Sequence, residues 1–78
     1  MIRQFTRVGD TVLIIEETSE GFFLYSFPRN GSEGDTWHLS VEDANAQVSH
    51  QFGKPDMSWL PVPNEISSLR DYAHSLMS

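Results

Sequence analysis

Short β-rich apolar runs broken by turn residues fill the first half of the chain, and apolar positions at three-to-four-residue spacing take over in the second. Residues 2–8 and 11–17 are two β-rich runs separated by Gly9-Asp10, a pair suited to a tight hairpin connection. A second turn at Thr18-Ser19-Glu20-Gly21 leads into residues 22–27, rich in aromatics and closed by Pro28, which has no N–H to continue a ladder. Residues 29–34 are polar with two glycines and read as an exposed connection. They precede a short strand over residues 35–39, expected to pair back on residues 22–27. The pattern predicts an α+β fold that opens with an antiparallel meander of about four strands.

Ser40 is then suited to cap a helix starting at Val41, with Glu42 and Asp43 near the positive end of the helix dipole. Val41, Ala44, Val48 and Phe52 recur at helical spacing, a stripe that would face the sheet, and Gly53 stands where a left-handed C-terminal cap belongs. The prolines of Trp59-Leu60-Pro61-Val62-Pro63 force their neighbours toward extended backbone and exclude a central strand. This segment reads as an edge strand or an extended strap anchored by Trp59. Asn64 is expected to cap a last helix, with Ile66, Leu69, Ala73 and Leu76 in its apolar stripe and Tyr72 and Met77 at the border. Without repeats or long linkers, residues 1–78 are read as one domain.

Strand residues 12–15 are apolar on both faces, and Phe23, Tyr25 and Phe27 point one way while Phe22 and Leu24 point the other. One helix cannot cover both faces. Either the final helix covers the second, the arrangement that layer packing favours, or that face is a patch for dimerisation or for a partner. Phe23, Tyr25, Phe27 and the nearby His38 are the candidate partner-binding positions.

Composition narrows the classes. A chain of 78 residues that is 38% hydrophobic and 12% aromatic has enough apolar side chains for one small core. With no cysteine there are no disulfides, thiolate nucleophiles or zinc ribbons, which suits a reducing compartment. Residues 1–7 lack the apolar run of a signal peptide, and no segment approaches the roughly 20 apolar residues of a membrane span, so a cytoplasmic location is expected. The formal net charge of -6 repels phosphate backbones and anionic lipid, disfavouring nucleic acid and membranes as partners. Arg3 and Arg7 share a strand face as a small local exception. Trp37 and Trp59 are read as core anchors, Trp37 beneath the helix start, where its truncation to Ala is expected to unfold the protein.

Candidate chemistry is sparse. Asp35, His38 and Ser40 include the residue types of a nucleophilic triad, but strand alternation puts Asp35 and His38 on opposite faces, and Ser40 is engaged as a cap. His38 with Glu42, or His38 with His50 and His74, has no diagnostic metal-ligand spacing. Glu16, Glu17 and Glu20 cluster at a strand end beside a turn, a wet position for an acid/base pair. Gly31 and Gly34 are not followed by the Gly-Lys-Ser/Thr of a phosphate loop. No catalytic, cofactor or metal residues are assigned, and a nonenzymatic protein is expected.

Gly34-Asp35-Thr36-Trp37-His38, followed by Glu42-Asp43-Ala44, Gln47, Phe52-Gly53 and Trp59 to Pro63, resembles a set of small bacterial proteins of unknown function. The resemblance spans residues 21–63; it implies a bacterial cytosolic protein and supplies no activity or catalytic residue. The chain thus reads as a noncatalytic interaction or regulatory module, acting on a protein partner or on a second copy. The alternatives are an immunity- or antitoxin-like inhibitor of a basic partner, and a small-ligand binder or enzyme using His38 and nearby carboxylates.

Overall fold

The computed structural model describes residues 1–77. Four strands, β1 (Arg3–Val8), β2 (Thr11–Thr18), β3 (Gly21–Pro28) and β4 (Gly34–His38), run antiparallel to one another as a meander. Helix α1 (Val41–Gln51) follows, then a two-residue strand β5 (Leu60–Pro61) and helix α2 (Leu69–Met77). Because β5 returns to pair with β1, the sheet order is β4-β3-β2-β1-β5. The expected α+β meander is present. Among the described residues no helix is long and apolar enough to cross a membrane.

Register assigns each side chain to a face. Phe5, Ile14 and Tyr25 lie abreast, as do Val12 and Phe27 in the next row. Helix α2 packs Ala73 and Met77 against this face, and its Tyr72 ring meets Phe5 edge-on at 5.5 Å. Leu13, Ile15 and Leu24 point the opposite way, beneath Ala44 and Val48 of α1. Leu13, Ile14 and Ile15 have no exposed surface, and burial of each contributes about 1.5–3 kcal/mol, so β2 supplies the centre of both apolar layers. The last helix therefore covers much of the second sheet face, as layer packing favours.

Local signals set α1. The Ser40 hydroxyl accepts the Asp43 N–H at 3.1 Å, and Gly53 closes the helix with φ +92, donating to the Val48 carbonyl at 3.0 Å. Helix α2 departs from expectation at its start. Asn64 opens a turn instead of a helix, and Ser68 is the cap, its hydroxyl accepting the Asp71 N–H at 3.2 Å. The cause is distant in sequence: the Arg3 guanidinium donates to the carbonyls of Pro63, Asn64 and Ile66 at 3.0, 3.2 and 2.9 Å, and the last two are acceptors that a helix from Asn64 would use. Leu76 lies on the expected stripe but overhangs an apolar cleft of about 300 Å³ between α2 and residues 57–60, which leaves it 36% exposed.

Residues 59–63 are the expected edge strand or strap, and the fastening to β1 begins earlier, at residue 56. Asp56 N–H donates to the Arg7 carbonyl, Val62 N–H to that of Arg3, and the buried Thr6 hydroxyl to that of Met57. Trp59 packs against the cluster beneath α1.

Candidate functional site

At the edge opposite the strap, β4 leaves Gly34, Asp35, Thr36 and Trp37 exposed and buries only His38. Trp37 is 49% exposed, which corrects its expected place in the core. The register explains this. Trp37 stands abreast of Phe23, in the row that continues through Glu16 to Arg3, whereas α2 covers the neighbouring rows of Phe5, Ile14, Val12 and Phe27. Beyond the reach of α2, the indole lies over Gly21 and donates to the Glu20 carbonyl at 3.2 Å. A Cβ at Gly21 would meet the indole at 2.7–2.9 Å, and the backbone there has φ +140, so this approach requires glycine.

An aromatic ladder runs inward from this point. Phe23 stacks on Tyr25 at 6.0 Å and Tyr25 on Phe27 at 6.2 Å. Phe23 and Tyr25 remain partly exposed, and Phe27 is buried beneath α2. The Tyr25 hydroxyl donates to Glu16 at 3.2 Å. Its pKa is raised above 10.0 by burial first, then by the charge of Glu16 and the hydrogen bond to it, and finally by Asp35. Asp35, abreast of Tyr25, helps line a cleft of about 400 Å³ with Phe27, Glu33, Ser68 and Arg70.

The charges here are uneven. Arg7 and Arg29 pair with Asp10, and Arg70 and His74 both approach Glu33. Arg3 stands across from Glu16 in register but turns its guanidinium to the three carbonyls of the 63–66 turn. Among the described residues Glu16, Glu20 and Asp35 therefore have no cationic partner. The aromatic ladder is thus bordered by Glu16 and Asp35, carboxylates in no ion pair among the described residues, while Arg70 lines the same cleft as Asp35.

Of the four candidate partner-binding positions, Phe23, Tyr25 and Phe27 share this face, and His38 does not. His38 lies opposite Phe22 on the α1 face and is 7% exposed. Its Nδ1 is 2.9 Å from the Asp43 carboxylate and its Nε2 is 2.7 Å from the Thr36 hydroxyl. Both ring nitrogens thus have a partner, and the ring joins β4 to the first turn of α1. As alternation requires, Asp35 projects from the other face. Ser40 is held in its cap, and Trp37, read from the sequence as a core anchor, is the most exposed member of the aromatic group. Among the described residues no three or more His, Asp or Glu side chains gather as a metal site.

No family model matches the chain, and no curated protein or solved structure matches it.

Proposed function

We propose that the protein is a noncatalytic, cytoplasmic interaction module that binds a cationic protein partner through the aromatic and acidic surface at β4. The observation that carries this reading is the half-exposed Trp37 indole, abreast of Phe23 at the end of the Phe23–Tyr25 stack, with Glu16, Glu20 and Asp35 nearby in the sheet and its turn and in no ion pair among the described residues. An exposed indole and carboxylates together favour guanidinium or ammonium groups, by cation–π attraction and by charge. The net charge of -6 adds a long-range field that draws such a partner in. An inhibitor of a basic protein is one form that this module takes.

Titration with hexa-arginine, followed by amide and indole nuclear magnetic resonance, tests the reading. Shifts are expected at the Trp37 indole and at β3 and β4, fading with added salt, while the Trp59 indole stays put. Shifts spread evenly over the protein, or centred on α1, would remove the assignment.

A second reading rests on the chain Thr36–His38–Asp43, which has the connectivity of hydroxyl, base and orienting carboxylate. It requires a reactive hydroxyl. Mass spectrometry after treatment with a fluorophosphonate would show a covalent adduct on Thr36; unlabelled protein excludes this reading.

A further inference from the structure

We infer that the cationic partner binds as an added β-strand along the free edge of β4, with positive side chains at alternate positions. This deepens the proposed function and rests on it, since the same surface is used and the mode of binding and the pattern of the partner are added.

The sheet has one edge open to such an addition. At the other, β5 is two residues long, Pro61 and Pro63 lack N–H groups, and the strap is fastened to β1 by backbone bonds at Arg7 and Arg3. Strand β4 is paired to β3 over five residues, and among the described residues no backbone group bonds to its outer side. Every second residue of a strand directs its N–H and C=O outward, so an extended segment finds a row of donors and acceptors already spaced.

Side-chain geometry specifies the segment. Asp35 and Trp37 lie two residues apart on the α2 face, a separation of about 6.5–7 Å along a strand. An incoming strand with basic residues at positions i and i+2 sets one cation beside Asp35, whose cleft-mate Arg70 is already paired with Glu33, and the next beside the indole. The intervening side chains of the partner pass to the opposite face, next to Thr36. A second copy of this chain is a poor occupant: it has no Lys or Arg on β4 to offer, and both copies carry a net charge of -6.

The test uses an octapeptide of alternating Arg and Val in three forms: unmodified, N-methylated at every Arg, and N-methylated at every Val. Amides of the two residue types point to opposite edges of an extended strand, so methylation blocks one edge at a time. Strand addition predicts that one methylated peptide loses at least about tenfold in affinity while the other binds like the parent. The parent is also expected to slow amide exchange at alternate residues of β4 by about tenfold or more. If the parent shifts the Trp37 indole but both methylated forms bind equally well, the cationic surface stands and strand addition is wrong. If hexa-arginine and the octapeptide both leave Trp37 unmoved, the proposed function fails, and the inference with it.

Discussion

Two tryptophans stand near the two edges of one sheet, and their surroundings differ in almost every respect. Trp59 lies in a strap that closes the β1 side, where prolines remove donors, backbone bonds fix the chain and the ring packs into the cluster under α1. Trp37 lies on β4, where the backbone edge is free and the ring is half exposed over Gly21. Natural sheets usually protect an edge by proline, charge or cover. Here one edge is sealed by proline and cover, while the other has only its shortness and the acidic side chain of Asp35. The sealed edge contributes stability, and the open one presents a surface.

The largest effect that separates the two is on folding. Trp59→Ala is expected to cost about 3 kcal/mol, because it empties part of a packed cluster and loosens the strap. Trp37→Ala is expected to cost about 1 kcal/mol and to leave the protein folded, since half of its surface is already in water. Urea unfolding of both variants measures the difference. Equal losses would show that the two rings are anchored alike and would remove the contrast between the edges.

How far each edge was legible depends on whether its determinants are local. Ser40, Asp43 and Gly53 act within a turn or two, and α1 begins and ends where they indicate. The prolines around Val62 marked the strap equally well. Asn64 misled because Arg3, some sixty residues away, binds the carbonyls on either side of it and its own. Trp37 misled for another reason: alternation assigns a side chain to a face but not to the part of that face which is covered. Helix α2 docks over the rows of Phe5, Ile14, Val12 and Phe27 and leaves bare the next row, which runs from Trp37 through Phe23 and Glu16 to Arg3. The candidate surface was therefore half visible, in Phe23 and Tyr25, while its outermost ring was assigned to the core.

A smaller effect is expected at Gly21. In Gly21→Ala the new methyl meets the indole ring and the residue is held at φ +140, a backbone region that side chains avoid. The expected loss is about 1–2 kcal/mol. The Trp37 indole can yield toward solvent, so its emission should shift as the ring moves. A variant as stable as the parent, with an unmoved indole, would show that the ring does not rest on this glycine.

The smallest expected effect concerns the acidic field at the open edge, and Tyr25 reports it. Its pKa is raised, and burial is the first cause, followed by Glu16 and then Asp35. A phenol whose folded pKa exceeds its unfolded value binds its proton more tightly in the folded state. Its contribution to stability is whole below pH 10.0, the unfolded value, and is lost as the pH rises through the folded one. In a Tyr72→Phe background, absorbance of the phenolate then follows Tyr25 alone. The midpoint should lie above that of a free tyrosine amide. Glu16→Gln should move it part of the way down, because the charge disappears while burial persists; Asp35→Asn should move it less. A midpoint insensitive to Glu16→Gln would show that burial alone sets the shift and that the carboxylates exert little field on the aromatic ladder. That result would weaken the case for a cationic partner at β4 while leaving the contrast in packing between the two edges intact.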